Sequence, residues 1–195
     1  MLHSITGVFP VFQTPFREDF SIDSEVLAAE IEWMYGHDID GIVMAMVSEV
    51  IRLSGEERRE LARLSCEYGL DHGPVVISVG AESTSIAVGF AHHAEEVGAT
   101  AVMAIPPMSV SAGEDELYRY YQALLDAIDI PVIIQDASGY VGEPMSIGMQ
   151  AGLLDAYQER VLFKPEAIPI GPRLTELRDA TEGAACVFEG SGGIS

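Results

Sequence analysis

One residue stands apart by its chemistry. The chain has ten basic residues, nine arginines and a single lysine, Lys164. Lys164 closes the apolar run Val161-Leu162-Phe163, where a buried strand is expected to end. Burial disfavours an ammonium ion, and a neutral amine can condense with a ketone to an imine. Once protonated, that imine withdraws electrons and eases bond cleavage or elimination beside the former carbonyl. The plainer alternative is a lysine whose stem lies on apolar surface while its ammonium reaches solvent. That lysine is absent everywhere else favours the chemical reading.

Other polar groups follow apolar runs in the same way. Glu49, Glu166 and Glu189 could supply acid/base help or pair with the lysine, or simply cap helices and charge loops. Gln135 and Asp136 could bind a substrate hydroxyl or carboxylate, or satisfy loop backbone. Gly190-Ser191-Gly192-Gly193 would let backbone amides approach a carboxylate. His92 and His93 fall within a helical stretch and read as one surface and one packing residue. No spacing suggests a metal-ligand set or a Ser/His/Asp arrangement, and no cofactor is implied.

These residues need a frame that gathers strand ends. Strand candidates are Gly7–Phe12, Gly41–Met46, Pro74–Val79, Ala101–Ile105, Pro131–Ile134, Val161–Phe163 and Ala185–Phe188. Amphipathic stretches lie between them: Ser24–Gly36, a helix from the Ser54/Glu57 capping box to about Tyr68, Ser83–Val97, Glu114–Ile128, Met145–Tyr157 and Pro172–Ala180. Val26, Leu27, Ile31 and Met34 are expected to share one side of the first helix, and Gly98 to stop the third. Short βα repeats of this kind predict an α/β fold, a (β/α)8 TIM barrel, in one domain over residues 1–195. About seven of its eight βα units are present, so the eighth strand and C-terminal helices are expected to be lacking. In such a barrel the active site lies at the C-terminal strand ends. No glycine-rich phosphate fingerprint follows the first strand, which disfavours dinucleotide binding.

Composition narrows the partners. Hydrophobic residues make up 48% of the chain and the formal net charge is −21. Such a charge repels nucleic acid and anionic lipid. No apolar run reaches a membrane span, and no signal peptide is visible at Met1-Leu2-His3-Ser4. Cys66 and Cys186 are expected to be reduced core residues of a cytoplasmic protein.

Taken in order, the motifs resemble one family. They are Gly7-Val8-Phe9-Pro10 with Thr14-Pro15-Phe16; Asp40-Gly41-Ile42-Val43 leading to Ser48-Glu49 and Leu53-Ser54; and Glu56-Glu57-Arg58 with Gly80. They continue through Ala94-Glu95-Glu96-Val97-Gly98-Ala99, Pro106-Pro107 and Pro131-Val132-Ile133-Ile134, and close on Phe163-Lys164, Glu166-Ala167 and Gly190. The chain resembles the dihydrodipicolinate synthase/N-acetylneuraminate lyase family of class I aldolases and dehydratases over essentially its whole length. The resemblance implies a 2-oxo acid of the pyruvate type held as an imine on Lys164. It also implies a homo-oligomer, dimer or tetramer, and a length near three hundred residues.

Departures from the family pattern shape the expectation. Met46 and Val47 stand where the family has two threonines, and Ser48 replaces a glycine. Gln135 occupies the place of the proton-shuttling tyrosine. Tyr140 falls near the arginine of the synthase branch, and Met108 near the tyrosine donated by a neighbouring subunit. An amide orients but does not act as a general acid or base near neutral pH. The resemblance therefore implies a Schiff-base lyase, aldolase or dehydratase, on a 2-oxo acid such as a 2-keto-3-deoxy sugar acid, rather than the synthase proper. Lys164 is its expected nucleophile, Gln135 a positioning group, and Tyr140 or Glu49 the substitute relay. Val47, Ser48, Glu49 and Gly190 are the expected substrate-binding residues. The alternative is an impaired family remnant that binds a small carboxylate without turnover.

Overall fold

Several helices begin at a side-chain cap. In the computed structural model, which describes residues 5–137 and 143–190, the Asp23 carboxylate accepts from the amides of Glu25 and Val26 and opens α1 (Ser24–Tyr35). At α2 (Gly55–Gly69) the expected capping box is present. The Glu57 amide donates to Ser54 Oγ at 3.2 Å and the Ser54 amide to Glu57 Oε2 at 2.7 Å. Two orphan amides are thereby satisfied at one turn. α3 (Thr84–Glu96) ends before Gly98, which takes φ +88°, a conformation that side chains strain. α4 (Glu114–Ala127) follows, then α5 (Ile147–Tyr157), capped by Ser146 Oγ accepting from the Met149 amide, and α6 (Ile170–Ala180).

Between the helices run five strands: β1 (Ile42–Met44), β2 (Val75–Ser78), β3 (Ala101–Ala104), β4 (Val132–Asp136) and β5 (Val161–Pro165). Their order in the sheet is β1-β2-β3-β4-β5. A parallel sheet with alternating helices is the α/β pattern expected.

The chain divides into two compact units, one of Met1–Ser78 and His92–Val102, the other of Val79–Ala91 and Met103–Ser195. In the first, β1 pairs β2 in parallel, with Ile42 opposite Val75 and Met44 opposite Ile77. Helix α1 packs against α2. Leu27 and Ile31, four apart, carry the buried side of α1, whereas Val26 is half exposed, so the apolar side is narrower than expected. In the second unit β4 pairs β5 in parallel from Val132 opposite Val161 to Asp136 opposite Pro165. Tyr121 of α4 is fully buried there and donates to the Ala104 carbonyl at 3.2 Å.

Three expectations need correction. The first and seventh strand candidates are reduced to isolated parallel bridges, Val11 with Val43 and Phe163 with Val187. Pro10 has no amide to extend the first ladder, although its carbonyl accepts from the Val43 amide at 3.0 Å. Strands β4 and β5 run past their apolar residues. Gln135, Asp136 and Lys164 lie inside the ladder rather than after it, because cross-strand pairing continues where hydrophobicity stops. Cys66 is buried as expected, but Cys186 is exposed. Among the described residues no helix is long and apolar enough to cross a membrane, and no group of three or more His, Cys, Asp or Glu side chains is placed to hold a metal ion.

Candidate active site

Strands β4 and β5 bring the lysine to an amide. Gln135 and Lys164 are direct neighbours across the parallel ladder. Glu166 follows Lys164 by two residues, the spacing that keeps side chains on one side of an extended chain. The Glu166 amide donates to the Asp136 carbonyl at 3.1 Å, which ties its backbone to the end of β4.

The three side chains form one chain of hydrogen bonds. Lys164 Nζ donates to Glu166 Oε1 at 2.8 Å, and Gln135 Nε2 donates to Glu166 Oε2 at 2.6 Å. Each carboxylate oxygen thus has one donor. Lys164 and Glu166 side chains are both 17% exposed, so the pair is largely dry yet reachable. The lysine therefore does not end among apolar groups alone, since its amine meets a carboxylate.

Gln135 is 3% exposed. An ionised carboxylate only accepts, so the contact with Glu166 fixes which end of the amide faces it. The other end, Gln135 Oε1, is buried and has no hydrogen-bond partner among the described residues. A buried acceptor without a donor costs about 1–3 kcal/mol, and calls for a partner that arrives from outside.

Gly190 closes on the same group. A Cβ there would stand 2.5 Å from Lys164 Cε, 2.6 Å from Glu166 Oε1 and 3.0 Å from Lys164 Nζ. Only a residue without a side chain leaves the amine where it is. Behind the site, Asp136 is buried and its carboxylate lies 3.3 Å from an Arg173 nitrogen, while Arg173 also donates to the Met145 carbonyl.

The other expected site residues have contacts of their own. Val47 and Ser48 belong to a short 3-10 helix, Met46–Ser48, after β1. Ser48 is 0% exposed. Its hydroxyl donates to the Phe12 carbonyl at 2.6 Å and accepts from the Ala45 amide at 3.2 Å. Its own carbonyl accepts from Thr14 Oγ1 at 2.6 Å. Val47 is exposed. Glu49 takes φ +64° and pairs with Arg52 at 2.6 Å. Met108 donates its amide to Glu82 Oε1 at 3.0 Å. Tyr140, and the glycine-rich residues after Gly190, lie outside the described residues. Glu166 appeared in sequence only as one of three candidate carboxylates. Its i, i+2 spacing from Lys164 was the local signal that singles it out.

Comparison with known proteins agrees with this frame. A model of the Dihydrodipicolinate synthetase family matches residues 4–190. The 4-hydroxy-tetrahydrodipicolinate synthase of Rhodospirillum centenum is 31% identical over 193 residues, covering 93% of this chain and 65% of that protein. Among solved structures, a putative dihydrodipicolinate synthetase from Pseudomonas aeruginosa superposes with a TM-score of 0.91 at 26% identity, covering 96% of this chain and 64% of that one. The dihydrodipicolinate synthase of Acinetobacter baumannii, complexed with pyruvate, gives 0.88 at 26% identity, over 96% and 64%. The chain thus spans less than two-thirds of the length of these relatives. With the family model covering every described residue and the same fold in its solved relatives, the chain belongs to the dihydrodipicolinate synthetase family.

Proposed function

We propose that the protein is a lysine-imine lyase, an aldolase or dehydratase acting on a 2-oxo acid, with Lys164 as nucleophile. The observation that carries this reading is the sole lysine, at the end of a parallel strand, with its amine 2.8 Å from a carboxylate able to take its proton. Imine formation needs a lysine nitrogen in reach of a ketone and a group that can take a proton from it, and Lys164 beside Glu166 offers both. The pyruvate complex of the Acinetobacter relative supports a substrate of that class.

Gln135 narrows the substrate. Its Oε1 has no donor among the described residues. A substrate hydroxyl supplies one, and a carboxylate does not. A hydroxylated 2-oxo acid, such as a 2-keto-3-deoxy sugar acid, fits better than pyruvate alone. Gly190, where any side chain would crowd Lys164 and Glu166, leaves the amine its position. Ser48 is assigned no direct contact with substrate, because both bonds of its hydroxyl are taken by backbone.

The reading is tested by incubation with 2-keto-3-deoxy sugar acids of different length, following pyruvate release for an aldolase and water loss for a dehydratase. Turnover of at least one, abolished in Lys164→Met, is the expected result. Turnover retained in that variant refutes it. The absence of a tyrosine at position 135 favours one second reading, a protein that forms the imine and stops. Trapped adduct without turnover of any tested acid is its signature.

A further inference from the structure

We propose that Glu166 carries the protons of imine formation, the work for which Gln135 is unfit. The proposal rests on the reading of Lys164 as nucleophile given above. Three observations point to it. Glu166 is the one acid/base group seen in hydrogen-bond contact with Lys164 Nζ among the described residues. Its second oxygen is held by Gln135 Nε2, so the carboxylate is pinned in place from both sides. Its backbone is fixed as well, through the Asp136 carbonyl.

The steps balance on these atoms alone. Lys164 ammonium gives a proton to Glu166, leaving a neutral amine and a carboxylic acid. The amine lone pair attacks the 2-oxo carbon, a C–N bond forms, and the carbonyl π pair moves to oxygen. Glu166 returns its proton to that oxygen, giving a hydroxyl on the tetrahedral carbon. It then takes the second proton from nitrogen and delivers it to the hydroxyl, which leaves as water while C=N forms. The net change is ammonium plus ketone to protonated imine plus water, with charge conserved and the carboxylate ionised again. Held 2.8 Å from nitrogen, that carboxylate then faces the positive charge of the imine. Gln135 orients the acid throughout and exchanges no proton.

A purely structural ion pair would place the same atoms together. The two roles separate on Glu166→Gln against Glu166→Asp. Gln keeps the length and an oxygen for Lys164 but cannot accept a proton, whereas Asp keeps the carboxylate and loses one methylene. The measurement is the rate at which a borohydride-trappable adduct with pyruvate forms, with circular dichroism to confirm folding. The expected result is a fall of roughly 10²-fold or more in Glu166→Gln, the scale of general acid–base catalysis, with Glu166→Asp faster than Glu166→Gln. Equal rates in Glu166→Gln and wild type, or Asp slower than Gln, overturn the proposal while leaving Lys164 as nucleophile. No adduct in the wild type removes the imine reading itself, and this one with it. Should the Gln variant not fold, Glu166→Ala with added formate serves. Adduct formation that quickens with formate supports the role, and no response to formate overturns it.

Discussion

Two polar regions of the molecule follow apolar strands, and they are built on opposite terms. After β1, Ser48 is sealed from solvent and both bonds of its hydroxyl go to backbone, at Phe12 and Ala45. At the ends of β4 and β5, Lys164, Glu166 and Gln135 are bonded to one another, partly reachable, and leave one buried acceptor without a partner among the described residues. A closed polar cluster contributes to stability, since each group has the partner it needs. An open one carries a cost in the free protein that a ligand can offset. Both groups sit just past an apolar run, so position after a run does not by itself tell a saturated polar group from an open one.

Substitutions should divide along the same line. The largest effect is expected at Lys164. Lys164→Met should lower turnover by at least about 10³-fold, the scale lost with a covalent nucleophile, while the thermal unfolding midpoint stays close to wild type. A variant that unfolds but keeps residual activity in its folded fraction would reverse the assignment. Next comes Gly190→Ala. Its Cβ would press on Lys164 Cε, and a displaced nucleophile costs on the order of 10²-fold in rate. Steady-state kinetics should show the loss mainly in kcat. Ser48→Ala should behave in the opposite way, costing about 1–3 kcal/mol in urea unfolding by leaving backbone groups unpaired, with kcat nearly unchanged in the folded protein.

The smallest effect concerns a buried thiol in the unit that contains Ser48. Burial pushes the Cys66 thiol up to about 12 from an ordinary value of 9.0. The unfolded chain therefore ionises first as pH rises. The contribution of the neutral thiol is complete below pH 9 and is lost as pH rises from 9 towards 12. One unit above the unfolded value this amounts to roughly 1.4 kcal/mol. Urea unfolding at pH 8 and pH 10 should show the decline, and Cys66→Ala should make it shallower.

How much of this was readable beforehand depends on how local each feature is. The Ser54/Glu57 capping box and the Gly98 stop are set within a few residues, and the sequence shows them directly. Strand ends are not local. Gln135 and Lys164 remain in their strands because each has a ladder partner in the other, which no apolar run reveals. The same holds for Ser48. Its hydrogen bond to Phe12, thirty-six positions away, exists only in the folded chain. Lys164 stands out in the sequence by its solitude and its strand, whereas Glu166 stands there only as one of three candidate carboxylates. The link that joins them to Gln135 required the register.

The central claim, that Lys164 carries the substrate, is tested most directly by locating the bond. The protein is reduced with borohydride in the presence of pyruvate or a 2-keto-3-deoxy acid, digested, and its peptides weighed. The account predicts one reduced adduct, on the peptide bearing Lys164 and absent from Lys164→Met. An unmodified Lys164 peptide with every 2-oxo acid tried would contradict it.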